Sequence, residues 1–172
     1  LEFDYKQYPI GYFDVIWASP LCRYYSNMYN ALTGRKGKAH RTKEFIESKR
    51  KESDELVKKT LEIIDYFKPR LWFIENPLSS CLKKREIMKD IDYVVGDYCK
   101  YSDWGYRKST LFFTNRKDVC LKRCKWDCKN LKPNSKKHKK DLGSAHNKNN
   151  KSTSLAERYR IPELLLKDLI FN

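Results

Sequence analysis

The chain has 172 residues, enough for one domain and too few for two domains of ordinary size. Apolar residues make up 40% and aromatic residues 14%, so the composition supports a packed core and excludes a wholly disordered chain. With 37 Lys and Arg against 22 Asp and Glu, the net charge of +15 favours a polyanionic partner. No apolar run approaches the ~20 residues of a membrane span, so we expect an intracellular protein with no membrane partner.

In chain order, the first predicted elements are a strand, a helix and a second strand. A β-prone run from Phe13 to Trp17 stops at Ser19-Pro20, and another from Leu71 to Ile74 stops at Glu75-Asn76-Pro77. Between the two runs, apolar residues recur at helical spacing: Leu56, Val57, Leu61, Ile64 and Phe67. This order predicts a βαβ unit with parallel strands.

The predicted helix begins at Ser53 or Asp54 as its N-cap and ends before Pro69. Beyond the second strand we expect a short helix from Ser79 to Met88 and two further strands. These strands are Tyr93 to Val95 and Leu111 to Phe113, with a turn near Gly105 that allows antiparallel pairing. A terminal amphipathic helix, Leu155 to Ile170, is expected to break near Pro162. The fold class is therefore α/β.

The positive charge is concentrated in one segment. From Arg116 to Lys151 there are 13 Lys and Arg against 3 Asp and Glu, a net charge of +10. The segment is poor in apolar residues and has no regular periodicity, so it is predicted to be a long loop region rather than a buried layer. It is either a partner-binding insert or a solvated linker.

The chemistry of an open parallel sheet lies outside the carboxyl ends of its strands. Cys22 follows the first predicted strand and Glu75 follows the second, so both are expected to open onto one crevice. A thiol on a proline turn facing a carboxylic acid is a plausible nucleophile and acid pair. Taken alone, a cysteine after a strand is more often a small buried hydrophobic residue.

In combination, four peptides resemble motifs of the DNA cytosine-5 methyltransferases. Ser19-Pro20-Leu21-Cys22 resembles the Pro-Cys loop, and Ile74 to Pro77 resembles the Glu-Asn-Val motif of that family. Gly105 to Phe112 resembles the Gln-x-Arg-x-Arg segment that enters a strand, and Arg158 to Leu164 resembles a short terminal motif. The compact branch found in phages and large viruses is the most similar.

The resemblance implies an enzyme that methylates C5 of a flipped-out cytosine in double-stranded DNA. Cys22 would attack C6, Glu75 would hold N3 and the exocyclic amine and supply a proton, and Asn76 would fix the loop geometry. Arg107 or Lys108 would hold the base O2 or a phosphate, and the spacing does not decide which of the two residues does so. The methyl donor implied is S-adenosylmethionine.

The resemblance also implies a fold: the C-terminal part of the sheet of a Rossmann-like S-adenosylmethionine-dependent methyltransferase. Ser19 and Pro20 are expected to contribute weakly to the cofactor site. No residues resemble the glycine-rich cofactor loop, and the first residue is Leu1 rather than Met. We therefore expect the main cofactor site to lie before Leu1, in an N-terminal half or on a partner chain.

Three segments are expected: residues 1–115 as the catalytic α/β part, 116–153 as a basic DNA-recognition insert, and 154–172 as a helix that packs back on the catalytic part. The cations expected to contact DNA are Lys108, Arg116, Lys122, Arg123 and Lys125. Trp126 and Asn134 are candidates for base contacts. The protein is expected in the cytoplasm of a bacterium or a virus-infected cell, or in a nucleus. The sequence leaves open whether a restriction enzyme is its partner.

Within the insert, Cys120, Cys124 and Cys128 recur every four residues, with His138 and His146 downstream. Three thiols and His138 would make a closed tetrahedral structural zinc site. The alternative is a set of reduced intracellular thiols. Outside the insert, Cys81 and Cys99 are predicted to be plain core thiols.

Two other functions are open. A degenerate methyltransferase fold could survive as a DNA-binding module, with Leu21 in place of the usual second proline as a sign of decay. An amino methyltransferase acting at N4 of cytosine or N6 of adenine also uses a Ser-Pro loop. That class places an aromatic residue where this chain has Cys22, which favours the C5 reaction.

Overall fold

The computed structural model describes residues 4–31, 42–142 and 153–171 and has mixed α/β architecture, which confirms the predicted class. Its strands are β1 (Val15–Ala18), β2 (Leu71–Pro77), β3 (Tyr93–Asp97) and β4 (Ser109–Thr114). Its α-helices are α1 (Asn27–Ala31), α2 (Lys43–Phe67), α3 (Leu155–Tyr159) and α4 (Glu163–Ile170). Short 3₁₀ turns lie at Tyr5–Gln7, Leu82–Lys84 and Tyr98–Lys100. In the described part of the chain, no helix combines the length and apolarity needed to cross a membrane.

The strands form one four-stranded sheet in the order β1-β2-β4-β3. β1 and β2 are parallel, with Val15 opposite Leu71 and Ala18 opposite Ile74, and α2 connects them in sequence. The predicted βαβ unit is therefore confirmed. β3 and β4 run antiparallel. The Thr114 N–H donates to the Asp92 carbonyl and the Tyr98 N–H donates to the Lys108 carbonyl, so the start of β3 lies beside the end of β4.

Helix α2 begins well before the predicted N-cap, at Thr42, whose side chain accepts a hydrogen bond from the Phe45 N–H at 3.1 Å. It ends where Lys68 takes a left-handed conformation (φ 48°) and donates its backbone N–H to Ile64. Pro69 then prevents continuation of the helix. The predicted C-terminus is correct and the predicted start is wrong.

Both residues predicted as the N-cap of α2 lie inside the helix for identifiable reasons. The Ser53 hydroxyl donates back to the Lys49 carbonyl at 2.9 Å, which satisfies it without ending the helix. Asp54 is buried and accepts hydrogen bonds from other elements of the chain. Leu56, expected on the core face, is 58% exposed.

The helix predicted from Ser79 to Met88 is replaced by the single 3₁₀ turn Leu82–Lys84. Two contacts hold this segment out of a helix. Ser80 pairs with Ser26 in an antiparallel bridge, and the Cys81 N–H donates to the Tyr25 carbonyl at 2.9 Å. The backbone groups that a helix would use are thus committed to another segment.

The break in the terminal helix is confirmed. Ser154 caps α3 and forms a reciprocal capping box with Glu157. Pro162 caps α4, which buries Leu165 and Leu169.

The described chain packs as two units. Unit 1 contains the residues up to Tyr93 and Phe112–Lys117, and unit 2 contains Val94–Leu111 and the residues from Asp118 onward. β4 therefore contributes its first half to unit 2 and its second half to unit 1. Large side chains that are fully buried in unit 1 are Tyr25, Phe67, Phe73, Ile74, Leu82, Met88, Phe112 and Phe113. Those in unit 2 are Tyr98, Tyr106, Leu111 and Leu165.

The basic insert is more ordered than a solvated loop. Its described residues, 116–142, contain no helix or strand, as predicted, but they bury side chains inside unit 2. These buried side chains are Leu121, Cys124, Cys128, Asn130 and His138. The prediction that the insert forms no buried layer is therefore wrong.

Candidate active site and cysteine-histidine cluster

The carboxyl ends of β1 and β2 meet at one edge of the sheet. The parallel register places Ala18 opposite Ile74, so Ser19-Pro20 and Glu75-Asn76 follow side by side. Neighbouring strands are about 4.8 Å apart, which brings the two sequence motifs within contact distance. Both motifs expected to form the crevice therefore lie in unit 1, at one edge of the sheet.

Asn76 connects these two strand ends. Its side chain is fully buried and its Nδ2 donates to the Pro20 carbonyl at 3.2 Å. Its Oδ1 is buried as well and accepts no hydrogen bond within the described chain. An unsatisfied buried amide oxygen costs about 1–3 kcal/mol, so this atom is a ready acceptor for a bound group.

Cys22 is half-buried in the loop that leaves β1. The loop turns back at once, because the Tyr25 N–H donates to the Cys22 carbonyl at 3.1 Å. Tyr25 is fully buried, and its hydroxyl donates to Asp54 on α2 at 2.8 Å. The thiol is therefore accessible on a loop whose backbone is anchored on both sides, at Pro20 and at Tyr25.

An ion-pair network in unit 1 supports this anchor. The Arg85 guanidinium donates to Asp54 at 3.0 Å and to Glu47 at 2.7 Å, so it joins two turns of α2. Burial, reinforced by the Asp54 carboxylate, raises the pKa of Tyr25 far above its ordinary value, so its hydroxyl stays a donor. Burial opposes the ionisation of Glu47, but the hydrogen bonds and charges of Arg85 and Arg50 together outweigh it, and the pKa of Glu47 is lowered.

Glu75 is the acidic group at this edge. It lies within β2, which continues through Pro77, and only 9% of its surface is exposed. The strand predicted to stop at Ile74 therefore continues through Glu75 to Pro77.

The structure distinguishes the two cations that sequence spacing leaves open, both of which belong to unit 2. The Arg107 guanidinium donates to Asp97 at 3.2 and 3.3 Å and lies 5.1 Å from the Trp126 ring centre. Lys108 instead donates its ammonium to the Arg158 carbonyl at 3.0 Å. Arg107 faces a cavity, whereas Lys108 contacts the terminal helix segment.

That cavity has a volume of about 270 Å³ and is strongly basic. It is lined by Arg107, Trp126, Lys136, Lys137, His138, Lys140, Asp141 and Leu142. Trp126 is 45% exposed and has a left-handed backbone (φ 65°), which is an uncommon conformation for a bulky residue. A cationic cavity with an exposed indole suits a phosphate next to an unstacked base. Sequence reasoning missed its lysines, Lys136, Lys137 and Lys140.

The other cations expected at DNA are spread over both units. Lys122, Arg123 and Lys125 are exposed on the insert, and Arg116 is half-buried in unit 1. Arg123 Nε donates to Asp97 at 2.9 Å, so Asp97 receives both Arg107 and Arg123. Burial opposes ionisation of Asp97, but hydrogen bonds led by that from Ser109 lower its pKa.

Three thiols and one imidazole converge in the interior of unit 2. The ligand atoms of Cys99, Cys124, Cys128 and His138 all lie within 4.8 Å of one another, and all four residues are buried. Cys120 is exposed and lies outside this cluster. Cys99 therefore takes the place of Cys120 in the ligand set expected from spacing. The expectation that Cys99 is a plain core thiol is corrected. His146 lies outside the described residues.

Sequence spacing missed Cys99 because it lies outside the insert. It follows β3 directly, in the 3₁₀ turn Tyr98–Lys100, and only the packing of that turn against the insert brings it to Cys124 and Cys128. Burial raises the pKa of the Cys99 thiol. Burial likewise opposes ionisation of Cys124, but hydrogen bonds led by the Trp126 N–H lower its pKa. Burial, with the positive charge of Arg107, lowers the pKa of His138, which keeps the imidazole neutral.

A known viral protein is similar to this chain over almost the whole of its length. No family model matches the chain. A protein of Frog virus 3 (isolate Goorha), named "Probable DNA (cytosine-5)-methyltransferase", is 36% identical over 177 aligned positions, which cover 99% of this chain and 80% of the relative. That similarity spans both strand ends at the candidate site and the whole basic insert. The chain belongs to the DNA (cytosine-5)-methyltransferase family.

Proposed function

We propose that this chain transfers a methyl group to C5 of a cytosine in double-stranded DNA through a covalent bond to Cys22. The observation that supports this most is the pairing of the β1 and β2 ends. A half-buried thiol lies on a loop that Asn76 ties to the strand carrying the buried Glu75. This arrangement suits addition to a base that is activated by a proton.

Cys22 supplies the nucleophile. Its thiolate adds to C6 of the cytosine, and the electron pair of the C5–C6 double bond moves toward C5 and N3. C5 becomes nucleophilic only in this adduct. After methylation, C5 loses its proton to solvent, N3 returns its proton to Glu75, and the re-formed double bond expels the Cys22 thiolate.

Glu75 supplies the acid. Charge develops on N3 as sulfur adds to C6, and a carboxylic acid held at N3 donates its proton there. Asn76 acts through the loop by holding Pro20, and it is a positioning residue.

The cofactor of this family, S-adenosylmethionine, supplies the methyl group when bound. At the carboxyl ends of β1 and β2, two polar groups of the described chain can accept hydrogen bonds from the part of a ligand that carries N–H or O–H donors. They are the buried Asn76 Oδ1, which lacks a donor within the described chain, and the Ser19 hydroxyl, which accepts from Trp17 Nε1 at 3.2 Å. These residues would hold one end of such a ligand.

DNA is the proposed substrate because the viral relative carries that name and because the insert is basic. A cytosine inside a duplex cannot reach Cys22, so it must be flipped out of the stack. The basic cavity, with Arg107 and Trp126, is proposed to bind the DNA backbone and bases. We also propose that the four-stranded sheet is the C-terminal part of a Rossmann-like methyltransferase sheet, and that residues 116–153 form the recognition insert.

The experiment is covalent trapping on duplex DNA in which every cytosine carries fluorine at C5, so the recognition sequence need not be known. Fluorine at C5 cannot leave as a proton does, so the adduct stalls after methylation. With S-adenosylmethionine added, we expect a protein–DNA adduct that survives denaturing electrophoresis.

The matched variants are Cys22→Ser, expected to give no adduct, and Cys81→Ser, expected to give the wild-type amount because Cys81 is a half-buried thiol of the same unit. Adduct formation by the Cys22→Ser variant would contradict the proposed mechanism of methylation at C5. DNA binding without any adduct in the wild-type chain would instead identify a DNA-binding module that has lost its chemistry.

A further inference from the structure

The cluster of three thiols and one imidazole in unit 2 has the dimensions of a filled metal site. The His138 Nε2 lies 3.3 Å from Cys128 Sγ and 3.9 Å from Cys124 Sγ. Ligand atoms of a tetrahedral zinc ion, with Zn–S about 2.3 Å and Zn–N about 2.0 Å, lie about 3.5–3.8 Å apart. Both separations are close to the spacing of zinc ligands, and all four ligand atoms lie within 4.8 Å of one another.

Hydrogen bonds outside the cluster hold each ligand-bearing segment in place. The Asn130 amide, itself 1% exposed, donates to the Cys99 carbonyl at 2.9 Å and accepts from the Gly105 N–H at 3.0 Å. The Cys124 N–H donates to the buried Asp97 carboxylate at 2.8 Å. These contacts fix the backbone at two of the four cluster residues, Cys99 and Cys124.

Two further contacts close the cluster. Lys100 and Asp127, the neighbours of Cys99 and Cys128, form an ion pair at 3.0 Å. Leu131 and His138 pair across an antiparallel bridge, and Asn134 between them takes a left-handed conformation (φ 51°). This turn brings His138 back over the thiols.

We propose that Cys99, Cys124, Cys128 and His138 bind one structural zinc ion. Three thiols lose their protons to solvent, and three thiolates with one neutral imidazole then complete a closed tetrahedral shell. The filled site carries one net negative charge. The basic environment of the insert, with Arg107 and Arg123 on the adjacent Asp97, compensates that charge.

The ion has a mechanical consequence for the basic cavity. His138 both binds the metal and lines the cavity, and Trp126 lies between two metal ligands in sequence. The insert is too polar to form an apolar core of its own, so the metal replaces one. The site is therefore structural, and it holds the side chains that line the basic cavity in position.

The test is the metal content of the 172-residue chain, purified under reducing conditions and analysed for zinc, iron and copper. We expect one zinc per chain. Substitution with Co²⁺ should give the absorption of a tetrahedral thiolate site, which is independent of methyl transfer and of any variant's folding.

The variants distinguish the cluster seen in the structure, which contains Cys99, from the set suggested by sequence spacing, which contains Cys120 instead. Cys99→Ser and Cys124→Ser should each lower zinc retention at least tenfold in competition with a chelator. Cys120→Ser is the matched control and should retain zinc as the wild type does. A chain that takes up no zinc or Co²⁺ when refolded with excess metal would overturn the proposal. Zinc loss in Cys120→Ser with retention in Cys99→Ser would also overturn it.

Discussion

At the scale of single residues, the end of β2 carries two neighbours with different tasks. Asn76 is fully buried and holds the Pro20 carbonyl, whereas Glu75 lies one position earlier and therefore faces the opposite side of the strand. A change at Asn76 would alter where Cys22 lies. In the proposed mechanism, a change at Glu75 would remove the proton that addition to C6 requires.

Glu75→Gln tests the proton directly, because glutamine keeps the shape and loses the acid. We expect turnover to fall by ~10²–10⁴-fold, the usual contribution of general acid catalysis, with DNA affinity almost unchanged. Steady-state methylation and equilibrium DNA binding measure the two effects separately. Glu86→Gln is the control, because Glu86 is an exposed glutamate of the same unit that pairs with Lys89. A loss confined to DNA affinity would assign Glu75 a structural role.

At the scale of elements, helix α2 shows why a sequence pattern misplaces a helix start. Asp54 is a residue that favours N-caps, but here its carboxylate accepts from Tyr25 and Arg85. Because the tertiary partners satisfy the carboxylate, the helix continues through it and begins at Thr42. The same contacts connect α2 to the Cys22 loop through Tyr25.

Asp54→Ala should therefore destabilise the protein by about 3 kcal/mol, because it leaves the mostly buried Arg85 without its main partner. Leu56→Ala, two residues away on the exposed face, should change the free energy of unfolding by less than about 0.5 kcal/mol. Urea denaturation of the two variants measures the difference. Equal midpoints for both would mean that the ion pair does not support the helix.

At the scale of the whole molecule, the charge distribution is the dominant feature. The net charge is +15, of which the segment from Arg116 to Lys151 supplies +10. Cations on a surface bind phosphates without reading sequence, and each contact releases counterions. The lysines at the basic cavity are the described cations best placed for this role.

The double variant Lys136→Ala/Lys137→Ala should weaken DNA binding at low salt. It should also reduce the slope of log K against log salt by about one for each phosphate that the variant no longer neutralises. Fluorescence anisotropy with a labelled duplex across a salt series measures the slope. The control removes Lys58 and Lys89, exposed lysines of unit 1 that pair with Glu55 and Glu86. An unchanged slope in the cavity variant would place the phosphate-binding cations elsewhere.

The amino-acid sequence by itself determined the features that depend on local periodicity and on motif order. The β1-α2-β2 unit, the break at Pro162 and the family follow from hydrophobic spacing, proline chemistry and four short peptides read in order. These signals are local because each depends on residues only a few positions apart.

Only the tertiary structure decided which cysteines meet. Cys120, Cys124 and Cys128 are evenly spaced, yet Cys120 is exposed and Cys99 completes the cluster. Spacing in sequence cannot show this, because Cys99 comes from a turn at the end of β3, and the packing of that turn against the insert brings them together. The same physical reason explains why Asp54 does not cap a helix: a partner that is distant in sequence satisfies its carboxylate better than the local backbone does.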